Sequence, residues 1–279
     1  MPRLNIFIDG SWLFKICGPG KVLASRTVFP TRSFSIDFSK LNSLLLSHVK
    51  KYNEKCKDFG DLYYVTSIFQ LPPEIDDWPT YYDYITEESI IIIKKNIYAR
   101  EMVARNAVAS GYKNDSIFHP LLRDYMIPKI KDKRFQEKQV DTSVVALLVR
   151  SAILNPEDYH VVITGDSDIL PSIQIAYPEY SKNVFIATSH PDELDSQHRQ
   201  TSFSLSNFLF EIEAIYFQDF IKDIIYADFA YKCDNCNKVF TTVHEIDHRR
   251  RAYCTTCAST RTREFKHKVQ LSYHTLLAA

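Results

Sequence analysis

The stretch at residues 161–173, VVITGDSDILPSI, constrains the fold of this chain more than any other part of it. Its first four residues are all β-branched and are followed by Gly165, a pattern typical of a short buried strand. The apolar residues after Asp168 predict a helix, in which Pro171 is acceptable only within the first turn. The stretch therefore predicts a strand, a turn that carries Asp166 and Asp168, and a helix. Open α/β sheets bind their ligands at such turns.

The same alternation extends along the chain. Strands are predicted at residues 4–8, 62–69, 116–122, 161–164, 183–187 and 203–209. Helices are predicted at residues 38–57, 81–110, 140–154 and 210–225, with another after residue 169 and a charged loop at 129–136. Strands that alternate with helices indicate an α/β fold with a Rossmann-like, mostly parallel sheet and helices on both faces.

Composition and charge exclude several classes of protein. The 279 residues carry 34 basic and 34 acidic side chains, so any binding of nucleic acid must rest on local basic patches. No apolar run approaches the roughly 20 residues that a membrane-spanning helix needs. The N-terminus also lacks the pattern of a signal peptide. We therefore expect a cytoplasmic protein without a membrane partner.

Three aspartates are expected to converge at one edge of the sheet. Asp9 follows the first strand, Asp166 follows a later one, and Asp141 lies at the start of the helix at 140–154. Each also has a local interpretation, as a turn residue or as a residue that favours a helix N-terminus. Several carboxylates at one edge repel one another unless a hard cation neutralises them. Mg²⁺ or Mn²⁺ suits oxygen ligands, and the corresponding chemistry is metal-assisted phosphodiester hydrolysis.

With these residues in view, the sequence resembles the NYN domain family, a branch of the PIN-like nucleases. The resemblance rests on three motifs in order, FIDG at 7–10, KQVD at 138–141 and ITGDSD at 163–168, and covers roughly residues 1–190. It implies a PIN-like fold and a metal-dependent endoribonuclease that hydrolyses RNA. It also implies that the acidic ligands of the catalytic Mg²⁺ or Mn²⁺ are Asp9, Asp141, Asp166 and Asp168.

The chain departs from the NYN pattern at two places. Many members carry an asparagine shortly after the first aspartate, where this chain has Ser11 and Trp12, and a further acidic residue in the helix, where it has Leu147. These departures support an alternative, a catalytically degenerate nucleic-acid-binding or scaffold protein with a nuclease-like fold. A haloacid dehalogenase phosphatase is disfavoured, because a second aspartate normally stands where this chain has Ser11.

Four cysteines form two CxxC pairs, separated by seventeen residues. They are Cys233, Cys236, Cys254 and Cys257. In a reducing compartment this spacing predicts tetrahedral coordination of Zn²⁺ by four thiolates, and a closed coordination shell makes the zinc structural. A short C-terminal segment needs such a link, because its own core is small.

The expected domains are a nuclease domain at 1–190, a connecting strand and helix at 191–227 that pack on it, and a zinc ribbon at 228–279. The ribbon region has nine basic and five acidic side chains with interleaved aromatics, which suits phosphate contacts and base stacking. Alternatives are a solvated surface over core aromatics, or a ribbon that binds a protein partner or forms a homo-oligomer. The predicted RNA-contacting residues are Lys133, Arg134 and Lys138, which could equally belong to a solvated loop, and Arg249, Arg250 and Arg251.

Overall fold

A computed structural model describes residues 1–17, 35–131, 139–189, 212–225, 229–237, 239–242, 246, 251–253 and 257. Six strands form its central sheet: β1 (Arg3–Asp9), β2 (Asp58–Ser67), β3 (Ile117–Phe118), β4 (Tyr159–Ile163), β5 (Val184–Thr188) and β6 (Glu213–Tyr216). Their order is β3-β2-β1-β4-β5-β6, and every neighbouring pair is parallel. The predicted α/β fold with a mostly parallel sheet is thus confirmed, and the strand order reverses between β1 and β4.

The described helices connect these strands. They are α1 (Gly10–Ile16), α2 (Phe38–Lys50), α3 (Trp78–Tyr81), α4 (Glu87–Ala109), α5 (Met126–Lys131), α6 (Gln139–Leu154), α7 (Leu170–Ile175) and α8 (Phe217–Phe220). The predicted helix at 81–110 begins later, because Thr86 and Ser89 form a capping box that starts α4. Among the described helices, none combines the length and the apolarity needed to cross a membrane.

Helices pack on both faces of the sheet. On one face, alternate strand residues such as Phe7 and Val162 form a buried cluster with Val144 of α6. On the opposite face, Phe185 of β5 contacts Tyr52, which follows α2, with ring centroids 5.3 Å apart. Successive strand residues point to opposite faces, so this two-sided packing follows from the nearly continuous apolar character of the strands.

The predicted helix at 38–57 ends earlier, at Lys50, and the predicted strand at 116–122 is limited to Ile117–Phe118. Two sequence predictions of the type of local structure are wrong. Residues 210–225 were expected to be helical, but Glu213–Tyr216 form β6, which pairs with β5, and only Phe217–Phe220 are α-helical within the described part. A short segment of this kind fits either a helix or a strand. Here it forms a strand because its backbone hydrogen bonds pair with β5. Residues 129–131 were expected in a loop, but they end α5, whose Ile127 is buried. The predicted strand at 203–209 lies outside the described residues.

The chain divides into two compact units. The first comprises Met1–Lys15 and Asn42–Tyr216, and the second comprises Ile16–Leu41 and Phe217–Ala279. The second unit contains the antiparallel hairpin of β7 (Phe229–Lys232) and β8 (Val239–Thr242). The predicted domain boundaries lie at residues 190 and 227. The two units instead separate between Tyr216 and Phe217, and residues 16–41 are grouped with the C-terminal part of the chain.

Candidate active site

Asp9 is the last residue of β1, and its carboxylate lies inside the first unit where the strand order reverses. Only 1% of its surface is exposed. Its Oδ1 accepts a hydrogen bond from the backbone N–H of Trp12 at 2.9 Å, so the first turn of α1 fixes that oxygen. Glycine follows at position 10 because a Cβ there would lie 2.7 Å from Cζ of Tyr64 and 2.8 Å from the carbonyl oxygen of Val65. The missing side chain lets α1 start directly against β2.

Thr164 joins Asp9 to the turn that follows β4. Its buried hydroxyl donates to Oδ2 of Asp9 at 3.1 Å and accepts the backbone N–H of Asp166 at 3.0 Å. Because β4 pairs with β1, this hydroxyl spans the ends of two adjacent strands. Sequence reasoning treated Thr164 only as a β-branched strand residue and missed this role. Its position directly before Gly165 and Asp166 was the available signal.

Asp141 completes a set of three carboxylates. It is half-buried in the first turn of α6, and carboxylate oxygens of Asp9, Asp141 and Asp166 lie within 4.8 Å of one another. We call these three residues the acidic group. They come from the end of a strand, the start of a helix and a turn, and they meet at the topological switch point of the sheet. The sequence predicted this convergence.

The acidic group is electrostatically costly. The pKa of Asp9 is raised from its ordinary value of 3.8 to about 6, and burial is the largest cause. The hydrogen bonds from Trp12 and Thr164 lower this pKa, whereas the carboxylates of Asp141 and Asp166 raise it further. The net rise means that negative charge at Asp9 is disfavoured unless something positive lies nearby.

The two carboxylates of the turn after β4 differ in position. Asp166 is half-buried, and its Oδ1 accepts the backbone N–H of Asp168 at 3.0 Å. This bond caps the 3₁₀ turn Ser167–Ile169 that leads into α7, so Asp166 has a local structural role as well as a place in the acidic group. Asp168 is exposed and does not belong to the group of close oxygens. The structure therefore brings together three of the four predicted metal ligands.

The two departures from the NYN pattern both fall on apolar packing. Trp12 is 3% exposed and lies in α1. Leu147 is half-buried and packs on the core cluster that α6 shares with the sheet. Leu147 supplies no carboxylate, so the helix adds only Asp141 to the acidic group, where the NYN pattern has a further acidic residue.

Most of the predicted RNA-contacting residues lie outside the described part of the chain. These are Lys133, Arg134, Lys138, Arg249 and Arg250. Arg251 is described, and its Nη1 donates to the hydroxyl of Tyr253 at 3.2 Å, while Nε and Nη2 are buried. Part of this guanidinium is therefore turned into the second unit and away from solvent, which does not favour Arg251 as a phosphate contact.

Three of the four predicted zinc ligands are close together in the second unit. Potential ligand atoms of Cys233, Cys236 and Cys257 lie within 4.8 Å of one another. Cys254 lies outside the described residues. Two of the three, Cys233 and Cys257, are buried, and Cys236 is exposed.

Comparisons with known proteins add little to this geometry. No family model matches the sequence, and no curated protein matches it. Among solved structures, the crystal structure of a protein of unknown function from Vibrio parahaemolyticus matches with a TM-score of 0.38 and 10% identity. The match covers 81% of this chain and 96% of that one. Similarity at this level assigns neither family nor function, and the NYN resemblance stays a prediction.

Proposed function

We propose that this chain is a metal-dependent endoribonuclease that hydrolyses RNA phosphodiester bonds at the acidic group. The observation that carries the proposal is the meeting of three carboxylates from three separate elements, one of them almost fully buried. Carboxylates in such a place repel one another, and a hard cation is the partner that removes the repulsion. The carboxyl edge at a strand-order reversal is also where open α/β sheets bind ligands.

The donor set of the acidic group fits Mg²⁺ or Mn²⁺. Oxygen ligands lie about 2.1 Å from a bound Mg²⁺, so two of them are about 3.0 Å apart when adjacent and about 4.2 Å apart when opposite. The oxygens of the acidic group lie within 4.8 Å of one another, so a single ion could contact all three after side-chain adjustment. No sulfur or imidazole belongs to the group, which disfavours zinc or copper at this position.

The residues around the acidic group hold its oxygens in place. Trp12 and Thr164 each fix one oxygen of Asp9, and the N–H of Asp168 fixes one oxygen of Asp166. A bound Mg²⁺ or Mn²⁺ would supply an activated water and stabilise charge on the scissile phosphate and the leaving oxygen. Because the ligand oxygens are already oriented, little reorganisation is needed when the metal and the phosphate bind.

RNA is the proposed partner, and the cytoplasm is the proposed location. Net charge does not favour nucleic acid, so affinity would come from Lys133, Arg134 and Lys138 near KQVD and from the basic C-terminal segment. The ribbon is also a proposed site for a protein partner or for homo-oligomer formation. These assignments rest on the sequence and on the NYN resemblance.

A second candidate function is a catalytically degenerate RNA-binding or scaffold protein. The observation that favours it is the packing of Leu147 on the core, at a place where many NYN members carry an acidic residue. Fewer carboxylates bind a cation more weakly, because each removed negative charge lowers the attraction. Cleavage assays separate the two functions, because only the first requires the metal.

The test is cleavage of a panel of tRNA, rRNA and mRNA substrates, with Mn²⁺, with Mg²⁺ and with EDTA. We expect metal-dependent cleavage by the wild type and loss of cleavage in Asp141→Asn. Asp83→Asn is the matched control, because Asp83 is exposed and outside the acidic group, yet the substitution removes the same charge. RNA binding without cleavage by the wild type in every metal supports the second candidate. Cleavage that is indifferent to EDTA contradicts the proposed mechanism.

A further inference from the structure

We propose that Cys233, Cys236 and Cys257 bind one structural zinc that holds the segment 229–257 together. Cys254, the remaining cysteine of the two CxxC pairs, is the fourth ligand that the sequence predicts. The proposal is independent of the endoribonuclease function, because the acidic group belongs to the first unit. Zn–S bonds are about 2.3 Å long, so two sulfurs on one tetrahedral zinc are about 3.8 Å apart. The three described cysteines, with ligand atoms within 4.8 Å of one another, satisfy this spacing with small side-chain movements.

The backbone around the first CxxC pair is folded in a way that suits metal binding. The backbone N–H of Asn237 donates to the carbonyl of Cys233 at 2.9 Å, which closes a tight turn around Cys236. Asn237 has a φ of 59°, in the left-handed region that asparagine tolerates better than most residues. This turn sets Cys233 and Cys236 side by side, although no regular helix or strand connects them.

A reciprocal pair of hydrogen bonds ties this turn to the segment that leads into the second CxxC pair. The N–H of Asp234 donates to the carbonyl of Ala252 at 2.9 Å, and Oδ2 of Asp234 accepts the N–H of Ala252 at 2.9 Å. Ala252 precedes Cys254 by two residues in the sequence. These two bonds hold the turn of the first CxxC pair beside the residues that precede the second pair.

The described apolar core of this segment is small. Among the described residues, its buried members are Tyr231, Ala252 and two of the cysteines, Cys233 and Cys257. Half-buried Ile246 and Tyr253 pack against them, and Ile246 donates its N–H to the hydroxyl of Tyr231 at 2.8 Å. Ordering a short segment costs conformational entropy, and small domains commonly offset it with a metal or a disulfide.

A metal explains this grouping better than a disulfide. No two cysteines of the described part are joined by a disulfide. A disulfide would join two of the three described sulfurs and leave the third beside it without a bond, whereas one zinc binds all three. The sequence spacing predicts Cys254 as a fourth thiolate ligand, and a zinc with four thiolates has no open position for water and is structural.

Metal content of the full-length protein, purified under reducing conditions, tests the proposal. We expect one zinc per chain in the wild type and in Cys17→Ser, which removes a buried thiol of the same unit outside the cysteine group. Cys233→Ser and Cys254→Ser should each lose at least nine-tenths of the zinc. Freshly purified wild type without zinc, and without uptake of added Zn²⁺ or Co²⁺, overturns the proposal.

Two further measurements keep the test informative if a variant folds poorly. In the Co²⁺-substituted wild type, the thiolate-to-cobalt absorption should correspond to four thiolates. A three-thiolate spectrum that Cys254→Ser leaves unchanged overturns the closed site.

Hydrogen exchange after zinc removal should rise in peptides from 229–257, whereas urea unfolding followed by tryptophan fluorescence should stay the same. Both tryptophans, Trp12 and Trp78, belong to the first unit. Exchange at 229–257 that ignores zinc removal also overturns the structural role.

Discussion

The hydroxyl of Thr164 donates to Oδ2 of Asp9 at 3.1 Å, across the boundary between β4 and β1. The same hydroxyl oxygen accepts the N–H of Asp166. A single buried side chain thus sets the position of two members of the acidic group. Because the hydroxyl is fully buried, its loss cannot be compensated readily by water.

Thr164→Val tests this positioning role. Valine keeps the shape but removes both hydrogen bonds, so we expect the free energy of unfolding to fall by about 1–3 kcal/mol. The Mn²⁺ concentration for half-maximal RNA cleavage should rise by about 10-fold to 100-fold, as for other residues that orient metal ligands. Thr164→Ser, which retains the hydroxyl, should restore most of the metal affinity. A loss of stability with unchanged Mn²⁺ dependence would limit Thr164 to a structural role.

Asp166→Asn separates the charge of Asp166 from its capping bond. The asparagine oxygen still accepts the N–H of Asp168, so the fold should survive, while cleavage should fall about a thousandfold or more. RNA affinity should stay the same or rise slightly, because one negative charge near the phosphates is gone. Asp166→Ala should lose cleavage and also about 1 kcal/mol of stability from the lost cap. Cleavage at the wild-type rate in Asp166→Asn would remove Asp166 from the proposed metal site.

Gly10→Ala tests the close packing that places Asp9. The added Cβ would lie 2.7 Å from Tyr64 Cζ and 2.8 Å from a backbone carbonyl, so α1 must move. We expect destabilisation of about 1–3 kcal/mol, measured by urea unfolding with tryptophan fluorescence, together with reduced cleavage. The neighbouring Ser11→Ala is the control, since Ser11 is only half-buried and should tolerate the change. Equal stability of both variants would contradict the packing argument.

His160 gives the first unit a specific acid sensitivity. Burial lowers the pKa of His160 to about 4, and its Nε2–H donates to the carbonyl of Asn155 at 3.2 Å. Between pH 6.5 and 4 the unfolded state binds a proton that the folded state does not, so stability falls as the pH falls through this range. For this residue alone the loss between pH 7.5 and 5 is about 2 kcal/mol. His160→Gln should be less stable at pH 7.5 but should lose about 2 kcal/mol less on acidification. If the free energy of unfolding fell equally with pH in the wild type and in His160→Gln, His160 would not be responsible for the acid sensitivity.

Asp234 should control zinc retention without being a zinc ligand. Asp234→Ala removes the acceptor for the N–H of Ala252 and leaves only the backbone bond from Asp234 to Ala252, so the alignment of the two segments is weakened. We expect zinc to transfer to a competing chelator at least about 10-fold faster, whereas Asp234→Asn, which keeps an acceptor oxygen, should behave as the wild type. Zinc release followed with a colorimetric chelator measures this difference. Zinc release from Asp234→Ala at the wild-type rate would show that other contacts align the two segments.

Several features were already determined by the sequence. The β-branched run ending at Gly165, and the run ending at Asp9, required buried parallel strands whose carboxyl ends share one edge. That requirement placed Asp9 and Asp166 together, and the start of the apolar helix placed Asp141 near them. The spacing of the two CxxC pairs likewise predicted the proximity of Cys233 and Cys236 to Cys257. Each of these predictions rests on local pattern plus a topological rule.

Other features were decided only by the tertiary structure. Glu213–Tyr216 form a strand because they pair with β5, and a four-residue segment is too short to show a period of its own. Asp166 belongs to the acidic group and Asp168 does not. This difference in position depended on which of the two carboxylates caps the turn after β4. The role of Thr164 depended on β4 lying beside β1, a pairing that joins residues far apart in the chain. Local sequence sets which side chains reach the edge of the sheet, and strand order determines which of them meet.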